Sequence, residues 1–506
     1  MASSLYARLP LSRGLGRERW SSRIRGLGSR ERIAIPRLVH LRAPSPRRRT
    51  IECCTSSFHQ EASALFDWLE GNGVDCSKVD VQNTIPMGDT AADDGTVGKP
   101  IHTLRAACDI AAGELVFKVP LSSFVTLERV FKDETLAQVL TTSPLSELSC
   151  LTLYLMYEKK QELYSNWYAF IKELDRQRAR GQQAVVSPLL WQEEDIEQLL
   201  HGSPIKKLVQ DRLNGLRKEY EALDTVWFMA GSLFDEYPYE QPTEAFSFEI
   251  FKQAFVAVQS CVVHFNKAPL ARRFALVPLG PPLLTYSSTS KAMLQLSEDG
   301  DAVEYVADRA YVAGDILTVW CGPQPNSRLL LNYGIINDFN PYDRLTVRCE
   351  LDAKDPQYAE KRQLLLSDER SSVQEFQLYR DKDPVMSDDF VPFLRLAVAN
   401  QEELSAANGD FTEAISSRNE AAALHHLQDA LERQLAGYKT TMAQDDDLIE
   451  NAIDLRVKVA TRLLRIEKAV LSRAILKIKE IYAGQPELEA FDVSSATHLP
   501  VLTFAA

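Results

Sequence analysis

Paired-cysteine motifs, long apolar runs and acidic residues near the N-terminus are what this sequence of 506 residues lacks. None of its eight cysteines forms a Cys-x-x-Cys, and none stands at zinc-ligand spacing, so the thiols read as reduced and structural, with no metal site. Its eight histidines are scattered, and the adjacent His425-His426 pair has no acidic or cysteine partner at helical ligand spacing. No apolar run approaches the roughly 20 residues that cross a bilayer, so no membrane span is expected. At 45% hydrophobic and 25% charged residues the chain reads as an ordinary globular protein, long enough for two or three domains.

The first fifty residues contain no lysine and no aspartate, and only Glu18 and Glu31 oppose 13 arginines. An arginine- and serine-rich, acid-poor leader reads as an organelle transit peptide over 1–55. The rival reading is a nucleic-acid-binding arm, and composition does not separate chloroplast from mitochondrion. Setting aside those 13 of 57 basic and 2 of 70 acidic residues leaves 44 against 68, a net charge of −24. Such a body is repelled by a phosphate backbone, which argues against non-specific DNA binding and favours protein partners.

Apolar spacing predicts a helix over 58–72, then a Gly/Asp/Thr-rich loop at 83–99. Strand-like runs follow between 101 and 127, with a turn at Ala111-Ala112-Gly113. A helical insert is expected over 128–256, including one long helix over 205–236. Strands return between 274 and 320. The chain thus reads as α+β: residues 56–127 and 257–344 hold a sheet that closes by distant pairing around the insert. Helices dominate 345–484, and 485–506 reads as a mobile tail. In 455–482 an apolar stripe through Val459, Leu463, Ile466 and Val470 sits beside Arg456, Lys458, Arg462, Arg465 and Lys468. That basic face reads as solvated, with an acidic partner as the alternative.

The run LLLNYGIINDFNPYDR (329–344) ends an apolar segment at Tyr333-Gly334 and continues into turn residues. By itself it places a tyrosine at the lip of a packed helix. It also resembles the last motif of SET-domain protein methyltransferases, most nearly the branch that contains the Rubisco large-subunit lysine methyltransferases. AACDIAAGELVFKVP (106–120), PLLWQEEDIEQLLHGSP, FALVPL (274–279), PFLRL (392–396) and GYKTTMAQDDDLI (437–449) match that branch in order. The resemblance implies a SET β-fold split by the helical insert, then an all-α substrate-binding domain, with Tyr333 as the candidate catalytic residue.

The same resemblance marks where the S-adenosylmethionine site departs from the family. Ile101 and Thr103 stand where a Gly-x-Gly turn lets backbone approach the cofactor. Cys261 stands where an arginine pairs with the cofactor carboxylate. Pro281, Leu284 and Thr285 replace an Asp-x-x-Asn-His motif, and Cys321 replaces one of two channel tyrosines. Leu104, Ser260, Leu284 and Thr285 are the positional candidates for cofactor contact. Losing two or three charge-assisted contacts, each worth about 1.5–3 kcal/mol, implies a weak site. The runs LVPLGPPLL, SKAML and VWCGPQPNSRLLLNYG resemble a plant subgroup associated with the plastid transcriptionally active chromosome.

That subgroup implies a chloroplast protein of the stroma and nucleoid, with thylakoid association as a further location. Its partners would be the plastid-encoded RNA polymerase core and its associated proteins, with nucleic acid met only through the complex. Two functions stay open: a polymerase subunit needed for plastid transcription and chloroplast development, or an active protein-lysine N-methyltransferase of a plastid target. A third, direct nucleic-acid binding by the 456–468 basic face, is opposed by the charge of the body.

Overall fold

The computed structural model describes residues 62–84, 101–132, 137, 140, 145–178, 187–223, 247–265, 268–489, 491–492 and 498–505. The segment expected as a transit peptide, 1–55, lies outside them, as do most of the loop expected over 83–99 and the end of the helix expected over 205–236.

Thirteen strands are present among the described residues. They are β1 Val79–Thr84, β2 Ile101–Ala106, β3 Leu115–Pro120, β4 Val125–Thr126, β5 Val263–His264, β6 Phe274–Leu276, β7 Thr285–Ser287, β8 Leu294–Leu296, β9 Ala302–Val306, β10 Thr318–Trp320, β11 Arg344–Glu350, β12 Val373–Tyr379 and β13 Val501–Ala505. The strands on either side of the insert pair directly. β3 lies antiparallel to β9, with Val119 opposite Val303, and β4 lies antiparallel to β6, with Val125 opposite Leu276. β7 and β10 form a parallel pair. These strands and the helices Glu147–Lys160 and Phe248–Cys261 share one core, in which Leu151, Leu153, Phe251 and Val303 are fully buried.

A second core lies under the C-terminal helices and contains Phe376, Phe390, Phe393, Leu427 and Leu471. The region is helical as expected, but it also carries a three-stranded antiparallel sheet in the order β12-β11-β13. Alternation explains the omission: in β11 the buried residues Leu345, Val347 and Cys349 fall between polar ones, a period of two inside otherwise helical surroundings. The tail read as mobile supplies β13, which pairs with β11 from Thr346 opposite Ala505 to Glu350 opposite Val501. His426 Nε2 lies 2.7 Å from Pro500 O, at the entrance to that strand.

The helix Leu455–Gly484 runs between the second core and a third apolar cluster formed with the insert. Its Asp454 cap accepts a hydrogen bond from Arg456 N, and Val459, Ala460 and Leu463 pack with Trp191 and Ile196 of the insert and with Leu330 and Leu331. Its basic face is partly solvated, with Arg456, Arg462 and Arg465 28–32% exposed and paired within the chain, and Lys468 buried. Arg456 pairs with Asp195, Arg462 with Asp338 (2.7 Å), Arg465 with Asp446 (2.9 Å), and Lys468 is buried against Asp445. A pattern of one helix shows its own charges; the aspartates that face them come from distant segments.

Glu467 lies at the same junction, fully enclosed, and accepts hydrogen bonds from Ser203 Oγ (2.9 Å) and Tyr438 OH (3.0 Å). Burial lifts its carboxyl to about 7, against those hydroxyl donors, which favour the charged form. The unfolded chain releases this proton near pH 4.5 and the folded chain near 7, so stability falls as pH rises between them. About 3 kcal/mol is lost across that window. Glu467→Gln is therefore expected to flatten the pH dependence between about 5 and 7, read by chemical denaturation at a series of pH values. An unchanged slope would contradict this.

Candidate functional site

Tyr333 is the last residue of the helix Asn326–Tyr333. Gly334 ends that helix in the left-handed region, at φ +70°, and its N–H bonds back to Leu330 O. Glycine adopts that conformation without a side-chain penalty. Leu329, Leu330 and Leu331 are fully buried, so packing fixes the helix and holds the half-buried tyrosine at its edge.

Gln324 organises the polar surroundings. Its Nε2 donates to Tyr333 OH (3.2 Å) and to Cys321 O (2.9 Å), and its Oε1 accepts from Asn332 Nδ2 (3.1 Å). Asn340 Nδ2 donates to Gln324 O at 2.7 Å. Asn326 bonds Asp343 through both its backbone N–H and its amide, at 2.9 and 2.6 Å, and accepts from Asn337 N. Asn337 in turn donates to Ser288 Oγ (2.8 Å). The turn residues after Tyr333 thus tie the helix to the β7 segment.

Sequence reasoning left Tyr333 as the lone survivor of a tyrosine pair. The structure sets Tyr286, on β7, against it, with ring centroids 4.3 Å apart. Cys321 N donates to Ser287 O, one residue further along. No spacing connects Tyr286 to Tyr333 along the chain, so only the fold brings them together. Burial pushes the Tyr333 phenol above its usual value, opposed by the Gln324 hydrogen bond, and pushes the Cys321 thiol up to about 11. Both groups are therefore protonated at neutral pH.

Leu104, Leu284 and Thr285 are brought together around one backbone crossing. Leu104 N donates to Leu283 O (2.8 Å), Leu317 N donates to Leu104 O (2.9 Å), and Thr285 N donates to Leu317 O (3.2 Å). Leu104 and Leu284 are core residues, 0% and 1% exposed, while Thr285 is exposed. Ser260 is buried on the helix Phe248–Cys261, and its hydroxyl donates to Ala257 O of that helix at 2.9 Å. Cys261 beside it is 0% exposed. The neighbouring Gln259 Nε2 reaches Leu331 O (3.0 Å), joining this helix to the one that carries Tyr333. At the Gly-x-Gly position, His102 and Thr103 are buried, and His102 Nδ1 lies 2.6 Å from Glu173 Oε1. Ile101, Thr103, Cys261 and Leu284 carry no charged group. No group of three or more histidine, cysteine or acidic residues suited to a metal ion occurs among the described residues.

This architecture is that of a SET domain followed by a helical substrate-binding region. Residues 352–471 match the family model described as Rubisco LSMT substrate-binding. The structure superimposes on Rubisco LSMT bound to sinefungin and monomethyllysine with a TM-score of 0.65 and 20% identity, over 86% of this chain and 95% of that one. Rubisco LSMT bound to AdoMet gives a TM-score of 0.63 at 20% identity, over 86% and 94%.

Among curated proteins, the actin-histidine N-methyltransferase of Homo sapiens is 24% identical over 418 residues, 76% of this chain and 66% of that protein. That of Danio rerio is 23% identical over 433 residues, 82% and 67% of the two chains. The chain thus spans about two thirds of the length of these relatives. Its fold is Rubisco LSMT-like and methyltransferase-like.

Proposed function

We propose that the chain is a SET-fold subunit of the plastid-encoded RNA polymerase complex, needed for plastid transcription and chloroplast development. In this reading the S-adenosylmethionine site is remodelled into protein core and binds the cofactor weakly or not at all. One observation carries it: two positions that serve the cofactor in the family, Cys261 and Leu284, are 0% and 1% exposed. The Ser260 hydroxyl is committed to its own helix, so these residues do not fit the group. A body of net charge −24 suits docking to basic or protein surfaces rather than to DNA. The arginine-rich leader and the resemblance to the plastid subgroup support a chloroplast location, in the stroma and nucleoid.

A chain that acts as scaffold does not need the phenol of Tyr333. In a plant line lacking the protein, Tyr333→Phe is expected to restore polymerase assembly and plastid transcript levels to those given by the wild-type chain. Failure of a normally accumulating Tyr333→Phe chain to rescue would sink this reading.

The second reading, an S-adenosylmethionine-dependent methyltransferase of a plastid protein, rests on the Tyr286–Tyr333 ring pair and the Gln324–Tyr333 hydrogen bond. These keep an aromatic lip able to orient a neutral amine or imidazole. The relatives named actin-histidine N-methyltransferase extend the candidate acceptor from lysine to histidine.

A further inference from the structure

The bend that follows β12 lies against the long helix Leu455–Gly484 and leaves an open groove of about 350 Å³, lined by Arg380, Asp381, Arg465, Ile466, Ala469 and Arg473. Arg465, Ala469 and Arg473 recur every fourth residue, so they share one face of the helix, with Ile466 beside them. Arg465 belongs to the basic face for which the sequence allows an acidic partner.

Two of the three arginines are already matched. Arg380 Nε lies 2.7 Å from Asp381 Oδ2 and its Nη1 3.4 Å from Asp343 Oδ2, and Arg465 Nε lies 2.9 Å from Asp446 Oδ1. Arg473 differs. Its Nη1 donates to Tyr379 O (3.3 Å) and Arg380 O (2.6 Å), which anchors the half-buried side chain against the bend. Among the described residues it has no ion-pair partner, and its Nε and Nη2 make no hydrogen bond. Those two nitrogens form the edge that takes a planar carboxylate through two parallel hydrogen bonds. A glutamate one turn earlier would fill that edge from within the helix, but the residue there is Ala469.

We propose that this groove docks an acidic segment of a partner protein, with one glutamate or aspartate on the Nε–Nη2 edge of Arg473 and an apolar neighbour on Ile466 and Ala469. Because Nη1 is already anchored, little side-chain freedom is lost when the carboxylate binds. A nucleic-acid backbone would need a row of open cations and would meet the exposed Asp381 at the rim instead. None of the lining residues belongs to the tyrosine lip, so the inference holds with or without methyl transfer and with or without a plastid location.

Fluorescence anisotropy of the full chain at fixed ionic strength tests it, using a labelled peptide of glutamate, leucine and serine, the same peptide with glutamine for glutamate, and a single-stranded oligothymidine. Saturable binding of the glutamate peptide is expected, weakened about tenfold or more by Ala469→Glu, whose carboxylate occupies the Arg473 edge. That variant is expected to melt at or above the wild-type temperature, since glutamate four residues before arginine is the favoured helical pair. Arg473→Gln is expected to weaken the peptide to a similar extent, and Arg473→Lys, which keeps the charge but not the fork, to a smaller one. Wild type and Ala469→Glu are expected to treat the glutamine peptide alike, and likewise the oligothymidine. The proposal is overturned by no saturable binding of the glutamate peptide, by equal binding of it to wild type and Ala469→Glu, or by a lower melting temperature of that variant. A loss of oligothymidine binding in Ala469→Glu as large as the loss of the peptide would also overturn it.

Discussion

Lys468→Met is expected to destabilise the chain by about 3–5 kcal/mol. The Lys468 side chain is 2% exposed and that of Asp445 is 0% exposed, with Nζ 2.6 Å from Oδ2. Lys468 also donates to Thr440 O (2.7 Å) and Thr440 Oγ1 (2.9 Å), so its three protons are all placed. Asp445 accepts in addition from Thr440 Oγ1 at 2.6 Å. Removing the cation leaves a carboxylate buried with one neutral donor, and the desolvation penalty of that charge is no longer offset. The double change Lys468→Met with Asp445→Leu is expected to recover most of the loss, since it removes both charges together. Urea unfolding of the three chains measures this. A single-variant cost below about 1 kcal/mol would place the pair among weakly coupled surface ion pairs instead.

Gly202→Ala is expected to separate the insert from the C-terminal region. Gly202 has φ +83°, and a Cβ there would lie 2.6 Å from Gly437 O, 2.8 Å from Gly437 C and 3.0 Å from Tyr438 Cα. All three atoms are backbone, so nothing flexible yields. Left-handed strain costs about 1–2 kcal/mol, and overpacking adds about 1–3 kcal/mol. The contact also positions Gln434 Nε2 on Gly202 O (2.7 Å) and Ser203 on Glu467. Gly300→Ala is the control: its φ is +72°, but nothing lies within 4 Å of the added carbon, so strain acts alone. A Gly202→Ala chain that unfolds at the same urea concentration as Gly300→Ala would show that the two backbones part without cost.

The sequence carried the fold further than it carried the site. Helix Leu455–Gly484 was readable because Leu463, Val470, Leu471, Ile475, Ile478 and Tyr482 recur at three- and four-residue spacing and are buried. The distant sheet closure was readable because strand-like runs flank the insert. Lys468 was not: its charge placed it on a polar face, and only the fold supplies Asp445 and the Thr440 oxygens beneath it. The strand Val501–Ala505 was not readable either, since five residues of weak alternation resemble a loose tail until Arg344–Glu350 is there to pair with them. At the site, the replacements at Thr103, Cys261 and Leu284 were visible as residue types. That Cys261 and Leu284 are core residues, that the Ser260 hydroxyl turns to Ala257, and that the Tyr286 ring lies tilted against Tyr333 are properties of packing alone.

In the proposed function, a methyltransferase-like fold has given up its cofactor contacts. Titration calorimetry of the full chain with S-adenosylmethionine tests it most directly. The account predicts no saturable heat up to millimolar cofactor, because neither Cys261 nor Leu284 offers a charged contact and the Ser260 hydroxyl is already bonded to Ala257 O. Saturable binding with a micromolar dissociation constant, equivalent to about 8 kcal/mol, would contradict it.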